Sequence, residues 1–404
     1  MKNNSDICYK VKNYTFVFTT IILYFRHLMN IAVNTRLLIK DKLEGIGWFT
    51  YESLKRITVQ HPEHHFYFIF DRRFDPDFIF SPNITPIVLS PQARHPLLFW
   101  FWFECRLPRL LKQLKPDLFL SPDGYLSLKA GVKSLAVFHD LNFEHYPGDM
   151  PFFFRCYYRY FFPRFAKIAT RIATVSEFSK QDIMRQYGKP PQQVDVVYDG
   201  ANELYEPLSP GMISLTREKY TSGYPYFIFI GSLHPRKNLV NLFRAFDLFR
   251  HDHPENIKLL IVGARKWWTK EISKAFKEMQ YANDVVFSGR LNAGELVQVL
   301  GSSMALTYVS YFEGFGIPIV EAFRCGVPVI TSNVTSMPEV AGNAALLVDP
   351  FDPFSIAGAM KKIAEDEGFR QDLIRKGMIR KDEFTWQRTA SLLWKSIENS
   401  VKSS

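Results

Sequence analysis

The sequence predicts an α/β protein of two Rossmann-like halves facing a central cleft. Three observations predict it. From Met29 onward, short β-rich runs alternate with longer helical patterns, as in parallel sheets covered by helices. The alternation runs twice, broken by a Pro-, Asp-, Gly- and Ser-rich stretch at Asp199–Pro210 that reads as a linker. A chain of 404 residues, 47% of them hydrophobic, is long for one domain and can bury two cores. The expected division is an extension at 1–28, a first half at 29–205, a second half at 206–383 and a terminal segment at 384–404.

Taken in order, the strands of the first half are expected at Asn30–Asn34, Phe66–Phe70, Asp117–Ser121, Ser134–Phe138, Arg171–Val175 and Val194–Tyr198. Gly45-Ile46-Gly47 begins a helix after the first strand, and helical patterns lie at Phe99–Leu114 and Glu177–Tyr187. In the second half, strands are expected at Tyr226–Ile230, Ile257–Val262, Asp284–Phe287, Met304–Val309, Pro328–Thr331 and Ala345–Val348. Helices fall at about Asn238–Arg250, Thr269–Met279, Ala293–Leu300 and Ile317–Cys325.

The extension contains Tyr14–Phe25, an apolar run of 12 residues. A spanning helix needs about 20, and Arg26-His27 follow where a small-residue cleavage site would stand. It reads either as a dispensable stretch before Met29 or as an interfacial membrane anchor.

The net charge of +10 suits a phosphate-bearing substrate, an anionic membrane face or nucleic acid. No nucleic-acid recognition motif appears, which argues against the third. Cys8, Cys105, Cys156 and Cys325 show neither metal-site spacing nor a disulfide framework, so a reducing cytoplasm is the simplest compartment. Two segments, Leu97–Lys115 and Phe152–Lys167, are both aromatic and basic, with aromatics on too many faces for one buried stripe. They suit core packing, or an anionic membrane headgroup layer or lipid-linked acceptor.

The most informative segment is Glu313-Gly-Phe-Gly-Ile-Pro-Ile-Val-Glu321. It follows an apolar strand. Gly314 and Gly316 permit a tight turn and close approach to a ligand, and Pro318 fits a helix start. The turn formed by Gly314, Phe315, Gly316 and Ile317 therefore aims free N–H groups and the positive end of a helix at one point, an anion site. The flanking carboxylates suit hydroxyls of a ribose and a sugar. After the first strand of the second half, Gly231-Ser232-Leu233-His234-Pro235-Arg236-Lys237 brings two cations into a turn. Lys237 suits a diphosphate as a point charge and Arg236 as a bidentate fork. His139 and Asp140 end the strand Ser134–Phe138, where α/β sheets bind ligands, although Asp140 equally suits a helix cap. Ser176 reads mainly as a helix cap, and Asp75-Pro76-Asp77 has metal-like spacing but reads as a loop.

The spacing of Glu313 and Glu321, followed by Cys325-Gly-Val-Pro-Val-Ile330 and Met337-Pro-Glu-Val-Ala-Gly342, resembles the donor-site signature of retaining family 4 glycosyltransferases with the GT-B fold. The resemblance covers Met29 to about Asn399. It implies that Glu321 holds the ribose of a nucleotide sugar, and that Glu313 and His139 contact the donor sugar. Lys237 matches the family's phosphate lysine, while Ser232 stands where many members have arginine. The backbone near Leu291 reads the base, and the loop of Gly45 and Gly47 leaves room for donor phosphate and acceptor, with Asp140 on the acceptor side. The last helix, from near Trp386, crosses back onto the first half. The implied reaction is retaining transfer of a hexose of mannose or glucose type, without a metal or other cofactor. The donor is a nucleoside diphosphate sugar, and the acceptor is a hydroxyl of a surface glycan or lipid-linked oligosaccharide. The implied place is the cytoplasm, peripheral at the inner membrane face. A sugar-nucleotide epimerase on the same fold and a non-catalytic nucleotide-sugar-binding protein are the alternatives.

Overall fold

The computed structural model describes residues 28–403 apart from Pro254; the apolar run Tyr14–Phe25 lies outside the described residues. The described residues form two wholly parallel sheets. The first comprises β1 (Asn30–Asn34), β2 (His65–Phe70), β3 (Ile84–Val88), β4 (Leu118–Ser121), β5 (Ser134–Phe138), β6 (Arg171–Thr174) and β7 (Val194–Val196), in the order β3-β2-β1-β4-β5-β6-β7. The second comprises β8 (Tyr226–Ile230), β9 (Lys258–Val262), β10 (Val285–Gly289), β11 (Ala305–Tyr308), β12 (Val329–Ser332) and β13 (Leu346–Val348), in the order β10-β9-β8-β11-β12-β13. Helices cover both faces, so central strands such as β5 and β8 are buried at every residue and read as continuous apolar runs.

Each sheet reverses its strand order once, between β1 and β4 and between β8 and β11. Ligands of open α/β sheets bind at such points, beyond the carboxyl ends of the strands. The loops after β8 and β11 carry Arg236-Lys237 and Glu313–Gly316, and the loop after β5, two strands from β1, carries His139-Asp140. The topology therefore delivers three of the sequence motifs to the cleft.

Most strands sit within one or two residues of expectation. The exception is β3, which the sequence hides because Pro86 cannot donate to a ladder. Among the described residues it pairs only with β2 at the sheet edge, where a proline is tolerated. The helical run expected at Phe99–Leu114 begins earlier, at Pro96, and widens by a π-type turn at Trp102–Arg106.

The helices that matter below are α1 (Gly45–Gln60), α2 (Phe152–Ile168), α3 (Glu177–Tyr187), α4 (Leu239–Asp252), α5 (Ile317–Arg324) and α6 (Trp386–Lys402). Helix α6 packs on the first half. Trp394 stacks on His61, just past α1, with ring centroids 3.7 Å apart. The Thr389 hydroxyl donates to the Tyr198 carbonyl at 2.7 Å, and Lys133 donates to the Val401 carbonyl at 2.7 Å. Gly200 allows the close crossing, since a Cβ there would lie 2.5 Å from the Trp386 nitrogen. Among the described residues no helix is long and apolar enough to cross a membrane.

Candidate active site

The residues after β8 and β11 meet in a charged cluster. Glu313 is 5% exposed. Its Oε1 accepts from Lys237 Nζ at 2.6 Å and its Oε2 from Arg236 Nη1 at 2.7 Å. Asp140 comes from the other half, with Oδ2 3.6 Å from Arg236 Nη1. Two cations thus lie between two carboxylates, Glu313 beside them on the second half and Asp140 across the cleft. Burial raises the Glu313 carboxyl, but Arg236 and Lys237 outweigh it and hold the group at about 2. Burial lowers the Lys237 ammonium despite Glu313 beside it. Lys237 also donates to the Tyr308 hydroxyl at 2.5 Å and lies over that ring.

Glu313–Gly316 is held from below. Its Ser336 partner spans the Glu313 and Phe315 carbonyl oxygens at 2.9 and 3.0 Å, and the Glu313 N–H donates to Thr335 Oγ1 at 3.3 Å. Gly316 has φ +110° and caps α5, the conformation that makes glycine necessary there. Gly314 needs glycine for a different reason. An added Cβ would lie 1.8 Å from the His139 carbonyl oxygen. The Phe315 side chain turns away into the core, packing on Phe384, so only its backbone faces the turn's ligand side. Ile317 begins α5 and approaches Gly45, whose added Cβ would be 4.0 Å from the Ile317 Cδ1.

His139 rests edge-on against Phe49, ring centroids 5.0 Å apart, with Nε2 2.8 Å from the Pro122 carbonyl oxygen. A carbonyl only accepts, so Nε2 carries the proton and Nδ1 is an acceptor. Burial lowers the imidazole's pKa, which keeps it neutral. Asp140 also accepts from the Asn142 N–H at 3.0 Å, where a short helix begins, while its Oδ2 faces Arg236.

Glu321 lies in the second turn of α5, because the helix starts at Ile317. Burial raises its carboxyl to about 7, opposed by a hydrogen bond with the Tyr205 hydroxyl. Tyr205 lies in the connection between the halves. Leu291 is half-buried on the loop after β10, at the sheet's edge. Ser232 is exposed and outside the charged cluster. Gly47 serves local packing, since a side chain there would meet Leu43 at 3.1 Å. Asp75 and Asp77 pair with Lys40, and Asp75 caps the short turn that follows it.

Several residues of this site escape sequence reasoning. Ser176 does cap α3, accepting from the Ser179 N–H at 3.0 Å, but its hydroxyl also donates across the cleft to the Gly314 carbonyl at 2.6 Å. Glu339, from the second half, accepts from the Glu177 and Phe178 N–H groups at 2.8 and 3.0 Å and so caps the same helix. Tyr308, Thr335 and Ser336 carry no local signal, because their role depends on which loops the sheet brings together.

The description "Glycosyl transferases group 1" matches residues 215–380, and "Glycosyltransferase Family 4" matches residues 45–203. O-antigen chain mannosyltransferase B of Escherichia coli is 27% identical over 364 residues, covering 86% of this chain and 94% of that protein. O-antigen chain mannosyltransferase RfbU of Salmonella typhimurium is 27% identical over 287 residues, covering 70% and 75%. Among solved structures, Anabaena Alr3699/HepE in complex with UDP and glucose superposes with a TM-score of 0.72 at 16% identity, covering 92% of this chain and 100% of that one. WaaG, a glycosyltransferase involved in lipopolysaccharide biosynthesis, gives 0.70 at 15%, covering 93% and 99%. These likenesses show the fold, GT-B.

Proposed function

The chain belongs to glycosyltransferase family 4 (glycosyl transferases group 1), and we propose that it moves a hexose from a nucleoside diphosphate sugar to a hydroxyl of a growing surface glycan, with retention at the anomeric carbon. Mannose is the first sugar to test, because relatives that align over most of their length are O-antigen mannosyltransferases. The observation that carries the reading is the Arg236–Glu313–Lys237 cluster, with Glu313 and Lys237 buried, beside the Gly314–Ile317 turn that packs against His139.

The chemical task is to stabilise charge on the departing diphosphate while holding the acceptor close on the same face of the sugar. Lys237, Arg236 and the turn's N–H groups supply positive charge and donors. Glu313 keeps both cations oriented before the diphosphate arrives, so little reorganisation is left for the reaction. Neutral His139 offers an acceptor nitrogen to a sugar hydroxyl, and Glu321 takes the ribose. These cations and amides make a metal unnecessary for leaving-group stabilisation.

The acceptor is presented from the inner membrane face. Phe152, Phe153 and Tyr160 of α2 are exposed, as are Leu97, Trp100 and Phe101 nearby. Helix α2 carries Arg155, Arg159, Arg164 and Lys167 and no acidic residue. An apolar face among cations suits an anionic headgroup layer.

The test is incubation with GDP-mannose, UDP-glucose and related donors together with a panel of glycan acceptors, read by mass spectrometry. A hexose added to an acceptor, with release of the nucleoside diphosphate, is expected. Nucleotide sugar left intact with every acceptor sinks the proposal.

A further inference from the structure

A cavity of about 510 Å³ opens on the cleft beside the charged cluster. That is within the roughly 300–1,000 Å³ of small-ligand sites. Both halves build it. Asp149 comes from the first half, and Asn241, Trp267, Glu271, Tyr311 and Phe351 from the second. The Tyr311 hydroxyl donates to Asp149 Oδ2 at 2.9 Å, and the Tyr146 and Tyr311 rings lie 4.6 Å apart, so the closed arrangement of the halves shapes it. It adjoins the reacting centre on two sides. Tyr311 stands two residues before Glu313, and its N–H donates to the Arg236 carbonyl at 3.0 Å. Asp149 ends the short segment that begins at His139 and Asp140.

The lining differs chemically from the cluster next to it. No lysine or arginine among the described residues lines the cavity, while two carboxylates do. Glu271 is held below the usual carboxylate range by a hydrogen bond from its own backbone, so it stays ionised. A phosphate or an acidic polymer would be repelled. Neutral hydroxyls would be welcomed, since carboxylates and Asn241 accept and donate in the pattern a sugar needs. The aromatics supply the other half of carbohydrate recognition. Phe351 is 59% exposed and Trp267 37%, and Phe351 stacks near-parallel on Tyr311 at 6.2 Å. Such rigid, flat, partly wet surfaces offer apolar area at low entropic cost.

We propose that this cavity is a subsite for the growing glycan. It takes a neutral sugar unit of the acceptor chain, adjacent to the unit whose hydroxyl reacts. Phe351 and Trp267 form its platform, and Asp149, Asn241 and Glu271 bind its hydroxyls. The inference rests on the glycosyltransferase reading and names the acceptor class for it, a neutral oligosaccharide held on both halves.

The experiment titrates the full chain, with nucleoside diphosphate present, with mannotetraose, maltotetraose, the corresponding methyl monosaccharides and a heparin-derived tetrasaccharide. Saturation-transfer NMR and calorimetry read binding. One neutral tetrasaccharide is expected to bind more tightly than its monosaccharide, with the sulfated probe weaker than both. Phe351→Ala and Trp267→Ala should each weaken the tetrasaccharide about tenfold, or about 1.4 kcal/mol, and leave nucleotide affinity unchanged. Phe351 is exposed, so its removal leaves the core intact. The subsite is overturned if neither neutral tetrasaccharide binds, if both variants bind as the parent does, or if the sulfated probe binds best. Failure of nucleotide binding or sugar transfer with tetrasaccharide binding intact would instead sink the donor-site reading.

Discussion

Gly314 and His139 meet across the cleft so closely that a Cβ on the glycine would lie 1.8 Å from the His139 carbonyl oxygen. Ser176 fastens the same glycine from the first half, donating to its carbonyl at 2.6 Å. The turn that bears Glu313 and the strand end that bears His139 are therefore set against each other by backbone contact, and no side chain can enter between them. Gly314→Ala must push the halves apart. Misplacing reacting groups by about 1 Å costs up to about 100-fold in rate, so turnover should fall by one to two orders of magnitude. Steady-state kinetics would show it, and an alanine variant with the parent's turnover would mean the halves close differently in the working enzyme.

Glu313→Gln should reduce turnover more than nucleotide affinity. The change leaves Arg236 and Lys237 free to pair with a diphosphate but removes the carboxylate that aims them, and losses confined to the transition state appear in kcat. Stability should also fall. Breaking a buried pair by removing one partner costs about 3–5 kcal/mol, with the lower end expected because the Arg236 side chain is partly exposed at 23%. The sign with pH follows from the carboxyl's depression from 4.5 to about 2. The contribution is complete above pH 4.5 and disappears as pH falls through 2. Denaturant unfolding of both proteins at pH 7 and at low pH checks this, and equal stability at pH 7 would contradict it.

Glu321 titrates in the opposite sense. Burial raises its carboxyl from 4.5 to about 7. A ribose hydroxyl donates best to the ionised form, so nucleoside diphosphate affinity should rise between pH 6 and pH 8. Glu321→Ala should weaken binding by about 1.5–3 kcal/mol, the range of hydrogen bonds to charged groups. Glu321→Gln should flatten the pH dependence. Calorimetric titration across that range decides, and a parent profile as flat as that of Glu321→Gln would remove Glu321 from the ribose.

What the sequence made legible follows from how local each signal is. The parallel strands announce themselves as short apolar runs between turn residues, because burial on both faces leaves no alternation to decode. The turn at Gly314–Ile317 is legible because glycine and proline mark backbone geometry directly. Strand β3 is not, because Pro86 argues against a strand unless the edge position is known. In the site, Lys237, Arg236 and Glu313 are each visible as charges, but that Glu313 ties both cations is a property of two loops brought together by the β8–β11 pairing. Ser176 looks like a cap and is one. Its second bond, to Gly314, depends on a residue far along the chain, which no local pattern encodes.

Hexose transfer should survive EDTA, with the product retaining the donor's anomeric configuration. The first expectation rests on Lys237, Arg236 and the turn's N–H groups as the source of charge stabilisation, and the second on family membership. Activity lost to chelator and restored by magnesium or manganese would move leaving-group stabilisation onto a metal. NMR of the product's anomeric proton reads the second, and an inverted anomer would overturn it.

Membrane attachment should reside in α2. Arg159, Arg164 and Lys167 are exposed on it, beside exposed Phe153 and Tyr160, and Arg164 lies over the Tyr160 ring. Each cation near an anionic surface contributes about 1 kcal/mol at moderate salt. Arg159→Glu, Arg164→Glu and Lys167→Glu together should therefore release the chain from phosphatidylglycerol vesicles by more than about tenfold in affinity. Phe153→Ser should weaken attachment by removing apolar area that enters the headgroup layer. Activity on a soluble acceptor should be unchanged, because the ion pairs of the Arg236–Glu313–Lys237 cluster involve none of these residues. Vesicle co-sedimentation at low and high salt provides the measurement, with a chain lacking residues 1–28 alongside. Should the triple variant still pellet while the shortened chain stays in solution, attachment belongs to the segment containing Tyr14–Phe25, and α2's exposed face serves something other than the bilayer.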